Sequence, residues 1–174
     1  MDIKIIDNFL DDDELNSLKN YFNDNVSFPL YYTPNVSGLK TGKYEGDNYY
    51  WNYYFTHVFY TQDAVKSSCL ENFYNIFIPK FKQIYEYKSL LRIKLNFYPH
   101  TETLREHEKH IDEPYSHYGA VFSLNTCDGF TRLHDGTKID SIENRILFFD
   151  PSLEHNSSTT TNAPGRWNIN FNFL

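Results

Sequence analysis

Three residues in the second half of the chain, His110, Asp112 and His155, are of the types that bind a transition metal. One residue, Ile111, separates His110 from Asp112, and on a strand that spacing turns both ligand types to one face and Ile111 to the other. His155 follows a further strand candidate, Arg145 to Asp150. Two imidazoles and one carboxylate on one face leave adjacent coordination positions open, which suits non-haem Fe(II) and not a closed structural zinc site. Arg166 follows His155 by eleven positions and opens the last strand candidate with its side chain on the polar face. Its planar fork matches a carboxylate.

The elements that position these residues are read from periodicity. Ile3 to Leu10 is a short strand candidate running into Asp11-Asp12-Asp13-Glu14, an N-cap with first-turn acids, and Leu15, Leu18, Tyr21 and Phe22 then place a helix over about 12–23. Residues 26–48 carry glycines and prolines and read as a loop, with Gly38 to Gly46 open to two readings, a lid or a plain surface loop. The aromatic tract Tyr49 to Phe55 reads as a strand, either a substrate-facing wall or an edge strand packed on the barrel. Val65, Cys69, Phe73 and Phe77 at helical spacing predict a second helix over about 62–85, kinked or split at Pro79.

After Lys88 the period changes to two. Leu91, Ile93, Leu95 and Phe97 alternate with Arg92, Lys94, Asn96 and Tyr98, while Trp167, Ile169, Phe171 and Phe173 alternate with Arg166, Asn168, Asn170 and Asn172. Further short strands around Val121, Thr131 and Ile146 are punctuated by Asp128-Gly129, Asp135-Gly136 and Glu143-Asn144 turns. The fold expected is mostly β with flanking helices: a double-stranded β-helix, or jelly-roll, barrel. Two helices of the N-terminal half would pack on one sheet and leave the polar face to line the barrel.

With 174 residues the chain is read as a single domain, 1–88 supplying helical support and lid or substrate loops and 89–174 the jelly-roll core. A net charge of −7 argues against nucleic acid as the main partner. No apolar run approaches a membrane span and the N-terminus lacks the blocks of a secretory signal, so a cytoplasmic protein, of a host cell if viral, is expected. Cys69 and Cys127 are too few for a disulfide framework and read as reduced thiols.

At His110, Asp112, His155 and Arg166 the sequence resembles the Fe(II)/2-oxoglutarate-dependent dioxygenases, whose pattern is His-x-Asp, a distant His, and an Arg or Lys shortly downstream. Gly129-Phe130-Thr131-Arg132-Leu133, Phe148-Phe149-Asp150-Pro151 and Asn168-Ile169-Asn170-Phe171 look like the prolyl 4-hydroxylase-like branch, especially its short bacterial and bacteriophage members. The opening Ile5-Ile6-Asp7-Asn8-Phe9-Leu10 is similar to it too. The resemblance implies Fe(II) on His110, Asp112 and His155, and 2-oxoglutarate as cosubstrate with its distal carboxylate on Arg166. It also implies O2 as oxidant and Tyr98 as a residue that helps hold 2-oxoglutarate, with Asn96 and Asn168 as further candidates. The implied activity is hydroxylation of an unactivated C–H bond, foremost in a peptidyl proline, with release of succinate and CO2. A free amino acid, small metabolite or nucleobase stays open as substrate, as do a metal-dependent hydrolase or isomerase and a non-catalytic cupin-like binding module. Oligomeric state is not readable from the sequence. His107, three residues before His110, is read as part of a solvated strand start, and His57, His100, His117 and His134 as surface or hydrogen-bonded residues.

Overall fold

The period-two alternation beyond Lys88 becomes the two long central strands of the protein in a computed structural model that describes residues 2–24, 28–37 and 49–174. In chain order the elements are β1 (Lys4–Ile6), α1 (Asp12–Asp24), β2 (Tyr31–Pro34), a 3-10 turn (Tyr49–Trp51), β3 (Tyr53–Thr61), β4 (Ala64–Val65) and α2 (Leu70–Ile84). They continue with β5 (Leu90–Pro99), β6 (Tyr118–Ser123), β7 (Phe130–Arg132), β8 (Lys138–Asp140), β9 (Arg145–Phe149), β10 (Asn156–Ser157) and β11 (Gly165–Phe173). One sheet runs β1-β9-β6-β11-β5-β3-β2 with β4 attached to β3, and a second runs β10-β7-β8. Every pairing between these strands is antiparallel. The bridges Glu106↔Ser158 and His110↔His155 flank β10 and bring the 106–110 segment alongside 155–158. This is the double-stranded β-helix that the alternation predicts.

Register decides which residues share a face. In the β11–β5 pair, Ile169 faces Leu95 and Phe171 faces Ile93, while Arg166 faces Tyr98, Asn168 faces Asn96, Asn170 faces Lys94 and Asn172 faces Arg92. The apolar set packs on α2, whose Phe73, Phe77 and Phe81 recur every four residues on its buried stripe. Phe77 lies 4.7 Å, ring to ring, from Phe171 and 5.0 Å from Phe122, and Phe81 lies 5.4 Å from Phe148. Helix α1 is started by a reciprocal capping box: the Glu14 N–H donates to Asp11 Oδ1 at 2.9 Å and the Asp11 N–H to Glu14 Oε2 at 3.0 Å. Leu18 of α1 is buried in the same core.

Two expectations are corrected. The second helix begins at Leu70, not near residue 62, because Gln62 and Asp63, both at φ 51°, form a tight left-handed turn that folds β4 back on β3. That turn carries no glycine, and Asp63 is its one customary left-handed residue, a weaker sign than the helical spacing around it. The aromatic tract is also a strand only from Tyr53 on, its Tyr49–Trp51 forming a 3-10 turn, while β1, β2 and β3 extend the large sheet. Pro79 is accommodated within α2, which runs to Ile84. The candidate lid, Gly38 to Gly46, lies outside the described residues.

Candidate metal centre

The backbone pairing His110 N–H to His155 carbonyl and His155 N–H to His110 carbonyl, both 2.9 Å, fixes the two histidines side by side across the barrel, their rings 4.5 Å apart. Asp112 follows in a loop held by its N–H on the Pro151 carbonyl at 2.9 Å. Candidate ligand atoms of His110, Asp112 and His155 all lie within 4.8 Å of one another. Each histidine is oriented by a main-chain carbonyl at its Nδ1, Glu108 at 3.5 Å for His110 and Leu153 at 3.0 Å for His155. A carbonyl only accepts, so each Nδ1 carries the hydrogen and each Nε2 keeps its lone pair for a metal.

Electrostatics hold the three groups in their ligating protonation states. Burial, helped by the neighbouring His155, pushes His110 down to about 4, and burial likewise lowers His155 against the opposing pull of Asp112. Burial works against the charge on Asp112, but Arg92, His155 and Asn172 outweigh it and hold the carboxyl well below the usual carboxylate range. The Arg92 Nη2 sits 2.7 Å from Asp112 Oδ2, and Asn172 Nδ2 donates to the same oxygen at 3.0 Å. Oδ1 faces His110 Nε2 at 3.8 Å. Asn172 is steadied in turn by His117, whose Nε2 lies 3.0 Å from its amide and whose Nδ1 donates to the Tyr115 carbonyl at 2.8 Å.

Arg166 stands on the interior face of β11 and is 1% exposed, which makes the state of its donors decisive. Nη2 donates to Thr131 Oγ1 at 2.8 Å, whereas Nε and Nη1 are buried and have no partner among the described residues. The stem of Arg166 passes so close to Gly129 that a Cβ there would come within 2.7 Å of both Arg166 Cδ and the Thr159 carbonyl oxygen. Gly129 is therefore required by the arginine's path. The ring of Tyr98 lies 5.6 Å from the guanidinium and stacks on Tyr54 at 5.5 Å.

His110, Asp112, His155, Arg166, Tyr98 and Asn168 line one space that opens to solvent. Asn96 lies behind this wall: its Nδ2 donates to Asn168 Oδ1 at 2.9 Å and to Asn170 Oδ1 at 3.2 Å. Tyr54 brings the aromatic tract to the same space, with Tyr53 and Phe55 paired on the opposite side of β3. His107 is corrected: it is 4% exposed, not solvated, because its N–H pairs with the Ser157 carbonyl and draws the ring between Tyr98 and Trp51. Sequence reasoning missed Arg92, Asn172, Lys94 and Thr131. The signal available was their place on interior-facing strand positions, where a charge or an amide needs a reason.

The residues fit an Fe(II) ion with a carboxylate-bearing cosubstrate. The donor set is two neutral imidazoles and one carboxylate, and a buried guanidinium in the same space has two unused donors.

No family model matches the sequence and no curated protein does. Solved structures do match in fold. A prolyl hydroxylase from Trichoplax adhaerens, in complex with a hypoxia inducible factor oxygen degradation domain peptide fragment, superposes with a TM-score of 0.66 at 15% identity, over 99% of this chain and 83% of that one. A prolyl-4-hydroxylase from Pseudomonas putida gives 0.64 at 12% identity, over 98% and 91%. The viral collagen prolyl hydroxylase of Paramecium Bursaria Chlorella virus-1, as its 2OG complex, gives 0.62 at 13% identity, over 98% and 94%. The chain therefore has the fold of the prolyl hydroxylases, the branch that its motifs resemble.

Proposed function

We propose that this protein is an Fe(II)- and 2-oxoglutarate-dependent dioxygenase that hydroxylates an unactivated C–H bond, with a peptidyl residue such as proline as the leading substrate. The observation that carries the reading is Arg166: a fully buried guanidinium with two unpaired donors, sharing one space with a two-histidine, one-aspartate cluster. An unpaired buried charge costs several kcal/mol and is kept where an anion will meet it. A hydrolase using the same metal has no need of such a carboxylate receptor, and a binding module has no need of both cluster and clamp. The peptide in the Trichoplax adhaerens complex supports a peptidyl substrate by likeness of fold.

In this reading His110, Asp112 and His155 hold the ion, Arg166 pairs with the distal carboxylate of 2-oxoglutarate, and Tyr98 flanks that end with its ring. Bound Fe(II) and 2-oxoglutarate supply the oxidation, in which O2 delivers one oxygen atom to the substrate C–H bond and one to succinate, with loss of CO2. The chain's own contributions are positional. Asp112 keeps one oxygen for the metal because Arg92 and Asn172 occupy the other. The histidines stay neutral through burial and present Nε2 because carbonyls fix Nδ1. Thr131 aims the Arg166 fork.

The test is anaerobic addition of Fe(II) and then 2-oxoglutarate, reading the visible charge-transfer band of the chelate. Wild type is expected to develop the band, Asp112→Ala to lose it, and Arg166→Met to need more 2-oxoglutarate. Iron that binds without any band removes the dioxygenase reading.

A further inference from the structure

A second cation shares the cavity with Arg166. Lys94 lies on the interior face of β5, between Arg92 and Asn96 and opposite Asn170 of β11, and lines the space that holds the His-Asp-His cluster. Its ammonium has the Tyr54 hydroxyl at 3.5 Å and the Tyr54 ring centroid at 5.3 Å. Among the described residues no carboxylate lies at ion-pair distance from it. Asp112, the one acid lining the space among the described residues, already has Oδ2 engaged by Arg92 and Asn172 and turns Oδ1 to the cluster. Arg92 thus balances Asp112, and among the described residues Arg166 and Lys94 are left as positive groups with no carboxylate opposite them.

Nothing in the packing of β5 calls for a lysine there. The neighbouring interior positions of β11 are amides, and Asn96 Nδ2 donates to the side-chain oxygens of Asn168 and Asn170. Burial, followed by Arg92, brings Lys94 down to about 8, so it is still protonated at neutral pH. Burial raises the Tyr54 phenol, which therefore keeps its hydrogen. An ammonium and a hydroxyl on neighbouring strands present two donors, the number a carboxylate's two oxygens accept.

We infer that Lys94, with the Tyr54 hydroxyl, is the receptor for a second carboxylate in this cavity, distinct from the one that meets Arg166. The inference rests on the proposed dioxygenase reading, in which Arg166 is spent on the distal carboxylate of 2-oxoglutarate. The second carboxylate comes from one of two sources, the other end of 2-oxoglutarate or an acidic group on the substrate. If from the substrate, the substrate class is acidic.

The experiment uses Zn(II)-loaded protein, which binds without turnover, and calorimetric titration. Wild type, Lys94→Met and Lys94→Arg are titrated with 2-oxoglutarate. They are then titrated, with 2-oxoglutarate present, with N-acetyl-aspartate amide and its asparagine counterpart. Thermal melting and Zn(II) affinity report that each variant is folded and metal-competent, and Lys94→Arg keeps the charge should Lys94→Met unfold. A drop of about tenfold or more in 2-oxoglutarate affinity in Lys94→Met, with Lys94→Arg retaining most of it, assigns the cosubstrate as source. Unchanged 2-oxoglutarate affinity, with a wild-type preference for the aspartate probe that Lys94→Met abolishes, assigns the substrate. Unchanged 2-oxoglutarate affinity with no preference between the probes overturns the inference. Failure of wild type itself to bind 2-oxoglutarate overturns the dioxygenase reading instead, and the probes titrated into the Zn(II) protein alone then decide for or against Lys94.

Discussion

Strands β5 and β11 are built alike yet have two unlike faces. On one, Ile93, Leu95, Ile169 and Phe171 are 0% exposed and meet the phenylalanines of α2, so every contact is made within the chain. On the other, Arg92, Lys94, Asn96 and Tyr98 oppose Asn172, Asn170, Asn168 and Arg166, and this face keeps buried donors and acceptors without partners among the described residues, notably Arg166 Nε and Nη1 and Asn96 Oδ1. The first face is finished without a ligand and the second is not. Stability and binding should therefore separate by face, although the residues alternate along the same backbone.

The strongest way to break that separation is through the finished face. Phe77 touches Phe9, Phe81, Phe122 and Phe171, and Phe77→Ala leaves a void with no means of closing. A loss of about 3–5 kcal/mol in urea unfolding is expected, with Fe(II) affinity of the folded fraction unchanged. A metal affinity that fell in step with stability would show that the faces are coupled.

The reverse change is Arg166→Met. It removes a buried charge with unused donors and leaves a shorter, unbranched apolar side chain along the same path, so the melting temperature should hold or rise while 2-oxoglutarate affinity falls by about 100-fold, the worth of two charge-assisted hydrogen bonds. A clear loss of stability would mean that the guanidinium is already satisfied in the free protein. Asn172→Ala sharpens the same point at the other end of the cavity. It frees Asp112 Oδ2 from one of its two holders and should cost about tenfold in Fe(II) affinity, with little change in 2-oxoglutarate affinity once metal is saturating.

How much of this was written in the sequence follows the same division. Alternation in 91–98 and 166–173 is a long, regular signal, and the barrel, the outward apolar face and the four residues His110, Asp112, His155 and Arg166 came from it together with spacing. The Gln62-Asp63 turn was hidden because it carries no glycine and Gln62 is not a usual occupant of a left-handed turn, and helical spacing at Val65 and Cys69 carried the helix too far back. Arg92 and Asn172 were visible as polar alternation, but their grip on Asp112 depends on a loop that leaves the ladder after His110, and no periodicity encodes that. His107 was misjudged for a related reason. The segment bridges at Glu106 and at His110 but not between, so alternation does not run through it and His107 and His110 both end up in the interior.

His107 supplies the finest test of the unfinished face. Burial first, then the Arg166 charge, pushes it down to about 3, against an ordinary value near 6.5 in the unfolded chain. Between those values the unfolded state binds a proton that the folded state refuses, so the stability His107 contributes is complete above the unfolded value and is lost as pH falls toward 3. For metal-free protein, lowering pH from 7 to 5.5 should cost about 1 kcal/mol through this residue alone. His107→Phe should remove that part of the slope. His110 and His155 are depressed in the same direction and act equally in variant and wild type, so the difference between the two slopes reads His107 by itself. Loss of the bond between His107 Nδ1 and Ser157 Oγ shifts both ends of the variant's curve together and leaves its slope alone. Parallel urea-unfolding curves for the two proteins at pH 7 and 5.5 would mean that His107 meets water in the free protein, and that this end of the cavity is wet before any ligand arrives.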